Sequence, residues 1–136
     1  IGGFDERLGP GTRTRAGEDL DLFVKLMTAG GRLTYTPNAV VWHEHRATLP
    51  QLRRQLRGYG TGLAAVFLVH AARPGGLGGI ARRLPRGAAR LLHPASGRNT
   101  GRGTGYPRSL VLDELRGIAL APVAVLVESI RHGRRG

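Results

Sequence analysis

Gly17-Glu18-Asp19-Leu20-Asp21-Leu22 places three carboxylates within four residues at the start of an apolar-periodic run. At ~100° per residue, Leu22, Phe23, Leu26 and Met27 define one helical face, and Asp19 falls close to its centre. Asp21 lies roughly opposite, beside Lys25 at i+4, where an exposed ion pair accounts for it. A carboxylate on the side expected to be buried has two readings. It is a first-turn acid answering the free N–H groups and partial positive charge of a helix start, or a general base at the floor of a cleft. The run predicts a helix over residues 18–29, stopped by Gly30-Gly31, a pair suited to a left-handed C-terminal cap.

Working outward, the chain opens with Ile1-Gly2-Gly3-Phe4-Asp5-Glu6 and Arg7-Leu8-Gly9-Pro10-Gly11, and the acidic run is followed by Val41-Trp42-His43-Glu44-His45-Arg46. As an ordered set these motifs resemble the C-terminal half of the catalytic domain of family 2 glycosyltransferases and the related galactosyltransferase C-terminal domain, over roughly residues 1–60. The resemblance implies an α/β fold, with residues 1–60 as the acceptor-side half of a GT-A (nucleotide-diphospho-sugar transferase) domain. It implies Asp19 as the catalytic base, Glu18 as an acceptor ligand, Gly17 in the substrate-binding turn, and His43 as a metal or diphosphate contact. The chemistry fits those roles. Inverting sugar transfer needs one carboxylate to take the proton of an acceptor hydroxyl while a nucleoside diphosphate leaves from the opposite side, its charge met by a metal or another cation.

Residues 39–45 read as a strand, with Val41, His43 and His45 on one face and Val40, Trp42 and Glu44 on the other. A His-x-His pair fits two solvated histidines at a strand end as well as a metal site. The resemblance raises His43 above that ordinary reading. Arg46 adds a phosphate contact, since a guanidinium matches phosphate oxygens in a forked geometry. A site bridging a diphosphate favours a hard divalent cation, Mg2+ or Mn2+. Asp19-Leu20-Asp21 also satisfies the D-x-D pattern of nucleotide-sugar enzymes, but on a helix its side chains diverge by ~200° and do not chelate one ion. The metal-holding D-x-D is therefore expected upstream of Ile1, and the abrupt start inside a motif predicts a fragment, inactive without its donor-binding half.

Charge divides the 136 residues. Residues 1–46 hold six acids and six bases, so the whole net charge of +12 belongs to residues 47–136. A basic tail points to nucleic acid or to an anionic membrane surface. Nucleic acid is not expected, because Tyr59, Phe67 and Tyr106 form no stacking pattern. Membrane fits better: Ile80, Leu84, Ala88 and Leu91 share one helical face and Arg82, Arg83, Arg86 and Arg90 the other, as in an interfacial helix or, equally, a solvated basic face packed on its own domain, with Pro85 and Gly87 weakening the helix. The absence of cysteine excludes disulfides and thiolate metal sites.

The remaining layout follows from local signals. Residues 32–36 alternate as a second strand, and Thr48-Leu49-Pro50 starts a helix that runs to about residue 70. Gly58-Tyr59-Gly60-Thr61-Gly62 is expected to break that helix, and Arg53, Arg54 and Arg57 before it read as a solvated face. Residues 61–136 form a basic helical tail with Gly/Pro-rich linkers at 73–79 and 93–107. Ser109 is expected to cap a last helix, kinked at Pro122, whose apolar stretch from Gly117 to Val127 is about half the ~20 residues of a membrane span. Together these features predict an inverting glycosyltransferase that takes a nucleotide-diphospho-sugar donor and a glycan or lipid-linked acceptor. It would be cytoplasmic and peripheral on the inner membrane face. The competing reading is a non-catalytic basic module that binds membrane or polyanion and keeps only a glycosyltransferase remnant.

Overall fold

The computed structural model describes residues 1–42, 44, 46–92 and 106–134. Four helices occur among them: α1 (Glu18–Thr28), α2 (Leu49–Ala71), α3 (Gly76–Leu92) and α4 (Arg108–Gly133). Gly17, at φ +102°, makes a left-handed turn into α1 that an L side chain would resist. At the far end the Gly31 N–H reaches the Leu26 carbonyl at 2.9 Å and the Gly30 N–H reaches the Met27 carbonyl at 3.2 Å. This is a Schellman pair, which satisfies carbonyls the helix leaves free. α2 opens on a capping box: Thr48 Oγ1 accepts from the Gln51 N–H and Gln51 Oε1 accepts from the Thr48 N–H. α4 begins after Pro107, so Ser109 sits inside its first turn rather than capping it.

The expected α/β class is overturned: among the described residues there is no strand. The alternating segments before α2 leave their apolar side chains in solvent, with Leu33, Tyr35, Val41 and Trp42 at 52%, 87%, 86% and 94% exposure. Strands need neighbours to take up their N–H and C=O groups, and two short strands alone are marginal. No described segment supplies a third.

Packing instead centres on the crossing of α2 and α4. The glycines expected to break α2 lie within one continuous helix. A Cβ on Gly60 would fall 2.1 Å from the Glu114 carbonyl oxygen, and one on Gly117 would fall 2.1 Å from that of Arg57. Each glycine thus lets the opposite backbone approach, and the stretch is a contact seam rather than a break. α2 also passes through residues 60 and 61, so the two halves expected from the sequence share one helix. Arg53 Nε and Arg57 Nη2 each donate to Asp113 on α4 at 2.6 Å, with Asp113 fully buried. These two arginines are therefore structural rather than a solvated face.

The N-terminal loop closes over this pair. Leu8 joins Ala65, Val66 and Val69 in a small apolar core, with Val125 of α4 packed against it. The buried Thr14 donates from Oγ1 to the Arg7 carbonyl at 2.9 Å, and the Arg13 N–H donates to Glu128 of α4 at 3.0 Å. Of the expected linkers, residues 72–75 form only a turn before α3 begins, and residues 93–105 lie outside the described residues.

Candidate functional site

α1 is fixed to α2 by a polar cluster at the end of its first turn. Asp21 is fully buried. Its Oδ1 lies 2.8 Å from His70 Nε2 and accepts from Arg73 Nη2 at 3.2 Å, while Lys25 Nζ stands 2.7 Å from Oδ2. Arg73 also approaches Asp5 at 3.7 Å, and Asp5 accepts from Arg7 Nε and Nη2 at 2.9 and 2.7 Å. Those bonds from Arg7 hold the Asp5 carboxyl at about 2, against an opposing push from burial. The opening motif is thus an anchor that binds the first residues to α1 and to the end of α2. The Asp21–Lys25 pair expected from the spacing exists, but it is buried rather than exposed, and it lies on the protein-facing side of α1.

That orientation turns the apolar face of α1 outward. Phe23 is 45% exposed and Met27 64%. Asp19, on the same side, is exposed rather than withdrawn. Its Oδ1 accepts from the Leu20 N–H at 2.7 Å. Glu18 differs: its Oε2 is buried and has no hydrogen-bond partner. Gly9 makes room for it, since a Cβ there would stand 3.1 Å from that oxygen. A buried carboxylate oxygen without a donor is costly unless something supplies one.

Gly17 presses against α2, where a Cβ would lie 2.8 Å from both the Gly62 carbonyl oxygen and Val66 Cγ2. The start of α1 is therefore held beside the second half of α2, and a cleft of about 870 Å³ opens between it and the helix from Gln51 to Leu63. Gly17, Glu18, Asp19 and Arg46, four of the residues expected at the site, line it together. Gly17 carries no capping side chain, and of the first-turn N–H groups that of Leu20 is taken by Asp19 Oδ1.

The sequence reading missed the opposite wall. Arg15, Arg54, Gln55 and Tyr59 also line the cleft. Gln55 Nε2 donates to Tyr59 Oη at 2.7 Å, which fixes both side chains. The guanidiniums of Arg15, Arg46 and Arg54 form no ion pair with another described residue, in contrast to Arg53 and Arg57. The signal was present in the spacing: Arg53 and Arg57 share a face at i and i+4, and Arg54 stands ~100° away.

Among the described residues no three His, Cys, Asp or Glu side chains converge. Asp21, the second carboxylate of the D-x-D pattern, is already surrounded by Lys25, His70 and Arg73. His43 and His45 lie outside the described residues. Of the interfacial pattern in the tail, the helix itself is present as α3, with Arg82 and Arg86 exposed. No helix among the described residues is long and apolar enough to cross a membrane.

Two curated proteins of Mycobacterium tuberculosis, from strains CDC 1551 / Oshkosh and ATCC 25618 / H37Rv, are similar to this chain. Each is described as a pre-mycofactocin glycosyltransferase and is 39% identical over 70 residues, which cover 52% of this chain and 14% of the relative. No family model matches the chain, and no solved structure does. The likeness to part of a glycosyltransferase supports glycosyl transfer as the general activity.

Proposed function

We propose that the cleft between α1 and α2 is the acceptor side of an inverting glycosyltransferase site, with Asp19 as general base and Glu18 as the group that holds the acceptor. An acceptor hydroxyl enters with its O–H directed at Asp19. The oxygen attacks the anomeric carbon of a nucleotide-diphospho-sugar, its proton passes to the Asp19 carboxylate, and the carbon–oxygen bond to the diphosphate breaks with the electron pair leaving on the phosphate oxygen. A second acceptor hydroxyl donates to the Glu18 carboxylate. The unpaired guanidiniums of Arg46 and Arg54 answer phosphate charge in forked geometry. The acceptor is a glycan or a lipid-linked sugar, in keeping with a cleft wide enough for several hydroxyls.

The observation that carries this reading is that Glu18, one of whose carboxylate oxygens has no hydrogen-bond partner, lines the same cleft as the exposed Asp19. Asp5 and Asp113 accept hydrogen bonds on both carboxylate oxygens, and Asp21 Oδ2, which has no hydrogen-bond partner either, is met by the Lys25 ammonium at 2.7 Å. Glu18 Oε2 has neither. The test is nucleoside-diphosphate release by the complete protein from a panel of UDP-, GDP- and dTDP-sugars, with and without glycan acceptors. Glu18→Gln should raise the acceptor KM more than it lowers kcat. An acceptor KM unchanged by that substitution would remove Glu18 from the site.

A further inference from the structure

The last helix faces the wrong way for a surface in water. On α4 all three acids turn inward, Asp113, Glu114 and Glu128 being 0%, 8% and 8% exposed, and Gly117, Ala121 and Ala124 fill the seam beside them. The large apolar side chains turn outward: Leu112, Leu115, Leu120, Val123, Leu126 and Ile130 are each between 50% and 62% exposed. At ~100° per residue these positions share one side of the helix with Arg108, Arg116 and Arg134. The stripe from Leu112 to Ile130 is about 27 Å long at 1.5 Å per residue. An apolar stripe of that length marks a surface that something else covers.

Charge selects the cover. Every charge on the outward face is positive, with arginines near both ends and one between, and every acid of the helix is on the other side. A second copy of this chain would bring arginines against arginines with no carboxylate to receive them. An anionic lipid surface offers phosphates to the arginines and acyl chains to the leucines. Arginine suits this position, because its aliphatic stem lies along apolar surface while the guanidinium stays at headgroup level. Since no described helix can cross a membrane, the orientation left is flat on it.

We infer that the outward face of α4 docks in the interface of an anionic membrane, its axis parallel to the surface, with Leu112 to Ile130 inserted and Arg108 and Arg134 on lipid phosphates, while Arg116 stays 3.6 Å from Asp113. This role is separate from the cleft and does not depend on glycosyl transfer.

The chain contains no cysteine, so single substitutions give clean labels. Val123→Cys on α4 and Thr28→Cys on α1, each carrying an environment-sensitive fluorophore, are mixed with vesicles of phosphatidylcholine with or without phosphatidylglycerol. The Val123 label should brighten several-fold only with the anionic vesicles and be quenched by acyl-chain spin labels, and the Thr28 label should not respond. Added salt should reverse binding. Leu120→Asp with Leu126→Asp, both exposed and outside the core, should lower vesicle partition about tenfold or more, with helicity retained, while Asp19→Asn leaves it unchanged. Three results would overturn the inference: vesicle binding with an unquenched Val123 label, equal binding to neutral vesicles, or a lipid-independent dimer that the double Asp variant abolishes.

Discussion

Asp21 and His70, forty-nine residues apart, meet at 2.8 Å with the Asp21 side chain wholly out of solvent. Lys25 and Arg73 complete a ring of three side chains around one carboxylate, so α1 cannot shift on α2 without exposing or unpairing it. Removing one partner of such a set leaves the others uncompensated. Asp21→Asn should therefore destabilise the fold by about 3 kcal/mol. Asp19→Asn, two residues away and exposed, should leave the urea midpoint almost unchanged. Equal losses from the two substitutions would contradict the orientation of α1.

Acid should loosen the α2–α4 pair through Asp113. Hydrogen bonds from Arg57 and then Arg53 hold its carboxyl at about 2, below the usual 3.8. A carboxyl more acidic folded than unfolded means that the unfolded chain binds more protons between the two values, so stability rises with pH across that window. The contribution is complete above the unfolded value and is lost as pH falls through the folded one. Asp5, held down by Arg7, acts in the same direction. Urea midpoints followed from about pH 5 to about pH 2 should fall, and Asp113→Asn should flatten part of that slope. An unchanged slope in the variant would mean that the two arginines do not hold the carboxylate.

The glycine seam makes a contrast within one residue type. Gly60→Ala puts a methyl into the Glu114 backbone and should cost about 2–3 kcal/mol. Gly78→Ala in α3 meets nothing within 4 Å. Relieved of glycine's chain entropy, it should stabilise the helix by roughly 0.5 kcal/mol. Thermal midpoints moving in opposite directions would support the crossing; a neutral Gly60→Ala would argue that α2 and α4 lie further apart.

Features decided within a few residues were legible in the sequence. The α1 start depends on the positive φ that Gly17 allows, and its stop at Gly30-Gly31 and the Thr48-Pro50 opening of α2 depend on local hydrogen bonds that those residue types make wherever they occur. Which side of a helix is covered is not local. Period placed Asp19 and Asp21 on opposite faces, but the covered side followed from partners 49 and 52 residues away, His70 and Arg73. Glycine at 58–62 showed that side chains were absent without showing that Glu114 and Arg57 needed the space. Alternation at Leu33 to Tyr35 and at Val40 to Trp42 promised a sheet, yet alternation specifies a strand only where neighbouring strands exist to pair with it. At the site, Gly17, Glu18, Asp19 and Arg46 were found by motif, and Arg54 and Tyr59 were passed over because a basic helix face reads as solvated until its partners are seen.

The central claim, that Asp19 is a general base in the α1–α2 cleft, is tested most directly by single-turnover sugar transfer in the complete protein carrying Asp19→Asn, at saturating donor and acceptor. The substitution keeps shape and removes only the proton acceptor. The transfer rate should fall by about 10²–10⁴-fold, with donor affinity unchanged in the same preparation. A rate equal to that of the unsubstituted protein would contradict the claim.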